Sequence, residues 1–253
     1  PPRSTLFPYT TLFRSLLEDR LPRERAADEL RPVRLTCDFT EATPGSVLIE
    51  MGRTRVLCTA SIENEVPRWM RDSGRGWVTA EYGMLPGSSP ERVKRDHYQG
   101  GRAKEISRLV GRALRSVVDL SRLGETMVRV DCDVIEADGG TRTAAITGAW
   151  VALHDALVAG EADGIVSTDA LIDHVAAVSV GIVDGEILLD LEYESDVAAD
   201  VDMNVVMSGR GLLVEVQGTA EQAPFTRQDL DAMLDLAQKG IEELIDLQRR
   251  AVS

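Results

Sequence analysis

The chain has 253 residues, 43% hydrophobic and 28% charged, enough apolar material for one large or two modest domains, which excludes a disordered or collagen-like polymer. No apolar run approaches the roughly 20 residues that a membrane-spanning helix needs, so a soluble protein is expected. The net charge of -14 argues against a polyanionic partner only on average, because residues 1–125 carry 21 basic and 17 acidic residues whereas residues 126–253 carry 7 and 25.

The opening Pro1 to Ser15 has neither the basic start nor the small-residue cleavage site of a signal peptide, and Thr5 to Ser15 looks like a translated sequencing-library adapter. Residues 1–24 are therefore expected to be non-native or disordered, leaving 25–253 as a single domain. Runs of β-branched and apolar residues then predict strands at Val33 to Cys37, Ser46 to Glu50, Arg55 to Ser61 and Trp77 to Tyr82, with a hairpin at Met51-Gly52-Arg53-Thr54. Leu85 to Arg115 holds eight basic and three acidic residues, a local excess able to steer a polyanion. Within it, Ala103, Ile106, Leu109, Val110, Ala113, Leu114, Val117 and Val118 recur at helical spacing, predicting an amphipathic helix that stops near Gly124, with Arg108, Arg112 and Arg115 on its polar face.

Thr126 to Glu136 alternates as a strand, and after a Gly-rich turn a helix is expected from Thr143 to Val158. A short helix around Thr168 to His174 precedes strands near Val175 to Val183, Glu186 to Tyr193, Val201 to Met207 and Gly211 to Gln217. A long last helix follows, capped by Thr226 with Asp229 three residues on and buried through Leu230, Met233, Leu234, Ala237, Ile241, Leu244 and Ile245. The fold class is α+β, two strand-rich lobes with packed helices. Cys37, Cys58 and Cys132 have no paired spacing, so neither a disulfide framework nor a zinc knuckle is expected, and a reducing cytoplasm fits best.

Three places could carry chemistry. Gly139-Gly140-Thr141-Arg142 opens a helix, where free backbone N–H groups and the helix dipole suit an anion that Arg142 could grip; such a Gly pair would equally serve a tight strand-to-helix connection. Arg102, after Gly100-Gly101, also sits ahead of a helix and could converge on the same anion, or simply lie on the surface. Glu194, Asp196, Asp200 and Asp202 occupy an acidic loop that is either solvated or lends two carboxylates to a divalent cation beside a phosphodiester. His97, His154 and His174 are scattered, with His154 expected to be structural, and serine-hydrolase, P-loop and zincin motifs are absent.

Taken together, Gly76 to Pro86, Glu105 to Arg112 and Asp131 to Thr143 closely resemble bacterial ribonuclease PH, and the likeness continues through Ala176 to Val183, Asp190 to Tyr193, Asp202 to Met207 and Glu215 to Glu221. The resemblance implies the ribonuclease PH fold and a phosphorolytic 3′-to-5′ exoribonuclease, a tRNA nucleotidyltransferase that trims tRNA precursors with inorganic phosphate and releases nucleoside diphosphates. It implies that Arg102, Gly140, Thr141 and Arg142 bind phosphate. Asp196 and Asp202 match the carboxylates that support catalysis and hold metal, Mg²⁺ being the expected cofactor. A homo-hexameric ring, a trimer of dimers, is implied as well, with Arg92, Lys94 and Arg95 the candidates for RNA backbone contacts and with a mobile, solvated loop as the bland reading of those three.

The likeness has gaps. The segment between Leu85-Pro86 and Gly101-Arg102 is shorter than usual for the family, with Gly87 where a basic residue is common, and the customary N-terminal opening survives only near Arg25. Phosphate is already an anionic nucleophile at neutral pH, so the lack of an organising histidine is no obstacle. The chief alternative is a non-catalytic RNA-binding subunit of a similar ring, against which the joint presence of Arg102, Arg142, Asp196 and Asp202 speaks. An enzyme acting on phosphate-bearing small molecules is a third and more remote reading.

Overall fold

Alternating apolar and polar residues build the first three strands of a computed structural model that describes residues 25–95 and 100–253. These are β1 (Val33–Cys37), β2 (Gly45–Met51) and β3 (Thr54–Glu63), which pair antiparallel in sequence order, with only Gly52 and Arg53 turning β2 into β3 as expected. Strand β4 (Trp77–Met84) lies parallel to β5 (Met127–Glu136), which also pairs antiparallel with β3, so the sheet order is β1-β2-β3-β5-β4. A parallel pair cannot be joined by a tight turn, and helix α1 (Gly101–Arg115) makes the crossover and packs on β4. The expectation for residues 1–24 lies outside the described residues.

Helix α2 (Thr141–Ala162) is buried along most of its length and lies against both sheets, touching β2, β3 and β5 on one side and β6 (Val175–Val183) on the other. Its sequence is apolar all round, which is what a helix enclosed on several sides requires. The second sheet is antiparallel in the order β7-β6-β8-β9, with β7 (Glu186–Leu189), β8 (Val201–Ser208) and β9 (Leu213–Ala220). The last helix, numbered α4 (Arg227–Ala251), packs across β6, β7 and β8. Its start is the expected capping box: Thr226 accepts from the Asp229 backbone and Asp229 accepts from the Thr226 backbone. One apolar core runs through both sheets, joining Val130, Ile146, Val178 and Leu244 in a continuous cluster.

The elements correct the sequence reading in four places. Helix α1 ends at Arg115 rather than near Gly124, because the chain turns at Ser116 and Val118 forms a β-bridge with Leu171; Val117 and Val118 stay buried, but not as helix. Arg115 is not a solvent-face residue, since its guanidinium lies 4.5 Å over the Trp77 ring and donates to the Val78 carbonyl at 2.8 Å. Thr168 to His174 contains only a single 3₁₀ turn, Thr168–Ala170, before β6 begins. The strand expected over Glu186 to Tyr193 stops at Leu189, and the acidic loop contains a short helix, α3 (Tyr193–Ala198).

The three cysteines carry no disulfide. His154 is half-buried and stacked against Trp150, with Nδ1 3.0 Å from Asp155, the structural role expected of it. Among the described residues no helix is long and apolar enough to cross a membrane.

Candidate active site

Two helices begin at the same place by the same device. Arg102 is the second residue of α1 after a Gly100 cap, and Arg142 is the second residue of α2 after a Gly140 cap; neither first turn contains an acidic residue. Each helix start therefore adds partial positive charge to its arginine. Gly139 and Gly140 hold φ of +72° and +64°, where a side chain is strained, and a Cβ on Gly139 would sit 2.5 Å from the Leu191 carbonyl oxygen. The turn is thus pressed against the segment that leads into α3.

Strand alternation supplies the floor. Asp202 and Asn204 lie two apart on β8, Gln217 and Thr219 two apart on β9, and the register pairs Asp202 with Thr219 and Asn204 with Gln217. These four polar residues, with Arg102, Glu105, Arg142 and Asp196, line one cleft of about 600 Å³. Arg102, Arg142, Asp196 and Asp202, drawn from three separate stretches of sequence and four elements, therefore meet in one concavity. Gly140 and Thr141 stand at the cap and first residue of α2, immediately before Arg142. Arg92, Lys94 and Arg95 lie elsewhere, exposed on the loop after β4 and outside the cleft lining.

The electrostatics separate the two carboxylates. Asp196 is raised above the ordinary carboxylate range, first by desolvation and then by the Asp202 charge, while Arg102 and Arg142 pull the other way. Asp202 keeps one buried carboxylate oxygen, Oδ1, with no hydrogen-bond partner among the described residues. A buried, unpartnered carboxylate oxygen is costly unless something cationic answers it. The pair therefore fits Mg²⁺, which takes one or two carboxylates and fills its remaining positions with water and substrate phosphate. No group of three or more His, Cys, Asp or Glu side chains placed to hold a metal occurs among the described residues.

Several supporting contacts carried no signal in the linear sequence. The Tyr82 hydroxyl, at the end of a buried ring on β4, lies 2.8 Å from the Thr141 hydroxyl. Burial raises the Tyr82 phenol above its usual value, against the opposing effects of Thr141, Arg102 and Arg142. Arg31, ahead of β1, grips the buried Asp190 carboxylate with Nε at 2.9 Å and Nη2 at 2.7 Å and donates through Nη1 to the Asp138 carbonyl. Arg53 forks onto the Asp138 carboxylate with both bonds at 3.1 Å, and Arg25 pairs with Glu192. This network ties the Gly139-Gly140 turn to the strand-to-helix segment that carries Asp196. The likenesses over Asp131 to Thr143 and Asp190 to Tyr193 cover Asp138, Asp190 and Glu192, but they named no partners, and Arg31 lies 159 positions from Asp190.

A cleft in which two arginines at helix starts stand beside a carboxylate pair has the groups that an enzyme of phosphate-ester chemistry needs. The 3′ exoribonuclease family, domain 1, matches residues 29–159, and domain 2 of the same family matches residues 173–240. The continuous core thus spans what the family describes as two domains. The chain is 57% identical to the ribonuclease PH of Corynebacterium kroppenstedtii, with 90% of this chain and 91% of that protein covered, and 54% identical to the ribonuclease PH of Methylobacterium radiotolerans, with 92% and 99% covered. The chain belongs to the ribonuclease PH family. Its fold is also that of the Archaeoglobus fulgidus exosome solved with RNA bound to the active site, at a TM-score of 0.77 and 22% identity over 94% of this chain and 96% of that one.

Proposed function

We infer that the chain is a phosphorolytic 3′-to-5′ exoribonuclease, a phosphate-dependent tRNA nucleotidyltransferase. The observation that carries this reading is the convergence of Arg102, Arg142, Asp196 and Asp202 on one cleft in a chain of this family. In this reading Arg102, Arg142, the Gly140 turn and the Thr141 hydroxyl bind inorganic phosphate, with the two guanidinium groups supplying forked, charge-assisted hydrogen bonds. The phosphate oxygen attacks the terminal phosphodiester, the bond to the preceding 3′ oxygen breaks, and a nucleoside diphosphate leaves. No histidine base is needed, because the nucleophile arrives ionised; the residues orient it and offset its charge. Asp196 and Asp202 would hold Mg²⁺, whose contribution when bound is to neutralise charge on the scissile phosphate and the departing oxygen.

The RNA partner, with tRNA 3′ ends as the preferred substrate, and a homo-hexameric ring belong to the same proposal. Support comes from the ribonuclease PH relatives and from the fold shared with exosome chains, together with the exposed Arg92, Lys94 and Arg95. Residence in the cytoplasm agrees with the free cysteines.

The test is incubation with a 3′-tailed RNA and Mg²⁺, with and without inorganic phosphate. Phosphate-dependent release of nucleoside diphosphates is expected; release of monophosphates would mean hydrolysis, and an unshortened RNA that still binds would favour the non-catalytic subunit. Arg142→Ala should lower kcat/KM for phosphate by at least about a hundredfold, the scale of losing a charged donor at a reacting centre, with little change in melting temperature. Wild-type turnover in that variant would defeat the assignment.

A further inference from the structure

The guanidinium of Arg142 is held from behind. Its Nη1 donates to Gln217 Oε1 at 2.6 Å and lies 3.8 Å from Glu105 Oε1. That carboxylate oxygen also accepts from Gln217 Nε2 at 3.0 Å, so the three side chains close a ring of contacts. They come from three elements, α1, α2 and β9, and all three line the cleft.

We propose that Gln217 and Glu105 are positioning residues for phosphate, a brace in which Gln217 holds one edge of the Arg142 guanidinium and Glu105 holds the Gln217 amide. The proposal rests on the assignment of Arg142 to phosphate. A guanidinium has five N–H donors in one rigid plane, so committing one to Gln217 leaves four for an anion. An arginine already fixed by one nitrogen also loses less rotamer freedom when phosphate arrives, which is the usual source of affinity from preorganisation.

The chemistry of the two partners assigns their roles. Glu105 is more than half exposed and farther from Arg142, so solvent screens its charge and its main contact is with the Gln217 amide. That contact decides the direction of the amide: with Nε2 committed to the carboxylate, Oε1 must face Arg142, whereas a flipped amide would set donor against donor. Gln217 being neutral matters as much. Two residues earlier on the same face of β9, Glu215 forms an ion pair with Arg112 of α1, which consumes the charge of that arginine. An amide in the equivalent place grips Arg142 without cancelling the charge that an anion would need.

The test is steady-state phosphorolysis at saturating RNA with phosphate varied. Gln217→Ala is expected to raise KM for phosphate about five- to twentyfold, the scale of one charge-assisted hydrogen bond at a partly exposed site, while kcat and KM for RNA stay within about twofold. Glu105→Gln keeps an oxygen for the Gln217 amide and should cause a smaller rise, with Glu105→Ala in between. In an Arg142→Lys background, where no planar fork remains to be oriented, the effect of Gln217→Ala should disappear. An unchanged phosphate KM in Gln217→Ala would overturn the brace, as would a fall in kcat shared by every substrate together with a lowered melting temperature. Wild-type protein that releases no diphosphate would instead overturn the reading of Arg142, and the brace with it.

Discussion

Asp196 and Asp202 are chemically alike but sit in different surroundings, and the difference is measurable. Asp196 loses water in the cleft wall and faces a second carboxylate, so its proton is held more tightly than that of an ordinary aspartate, whose pKa is about 3.9. Followed by side-chain NMR in the absence of metal, the Asp196 carboxyl should titrate above that value. Asp202→Asn removes the neighbouring charge and should lower the midpoint, whereas Arg102→Ala removes an opposing charge and should raise it. A midpoint at or below the ordinary value would contradict the described environment. In the proposed metal role the sign has a functional consequence: a cation needs the ionised form, so the Mg²⁺ concentration for half-maximal activity should rise as the pH falls toward the raised Asp196 pKa.

At the scale of elements, the buried pair of Arg31 and Asp190 holds the Gly139-Gly140 turn and the α3 segment in one frame. Burial pushes the Asp190 carboxyl up, but the Arg31 fork and charge more than offset this, and the net direction is downward. A carboxyl depressed in the folded state contributes stability that is fully present above its unfolded pKa and is lost as the pH falls through the lower folded pKa. Asp190→Asn should leave the buried Arg31 guanidinium with only the more distant Asp138 carboxylate, 3.9 Å away, and cost up to about 3–5 kcal/mol, read as a lower denaturant midpoint at pH 7. The deficit should begin to shrink below about pH 4, where the aspartate of the unfolded chain takes up its proton while the native carboxylate is still ionised, and should vanish once the pH has fallen through the lower folded pKa. An equal loss at every pH would mean that the carboxylate charge is not what stabilises this joint. The acidic stretch reads as a loop from sequence, and the reason is its length. Six residues of α3 are too few for a periodic pattern to declare itself, and the helix forms where Gly139 and the Arg25–Glu192 pair fix its approach.

For the whole molecule, the uneven charge decides where a polyanion can go. Arg92, Lys94 and Arg95 stay exposed on the loop after β4 and outside the lining of the candidate cleft. In the proposed RNA role they would contact backbone phosphates and not the reacting group. Replacing all three by Ala should lower the slope of log affinity against log salt by about 2 for single-stranded RNA, at about 0.7 for each phosphate contact. Turnover of a very short substrate should change much less than turnover of a long one. An unchanged salt slope would assign these three residues to a solvated loop and leave the RNA path to other parts of the surface.

Periodicity in the chain by itself determined the strands from Val33 to Ser61, the strand beginning at Trp77 and the capped helix α4, because each follows from local alternation or helical spacing that burial then rewards. The motif likeness likewise picked out Arg102, Arg142, Asp196 and Asp202. Only the tertiary structure decided that these four share one cleft, that Tyr82 reaches Thr141, that Arg31 lies across Asp190, and that Arg142 donates to Gln217. The physical reason is that periodicity records which side of an element faces the core, whereas these contacts join side chains 59 to 159 positions apart, brought together by sheet register and by the close approach of the Gly139 turn to Leu191.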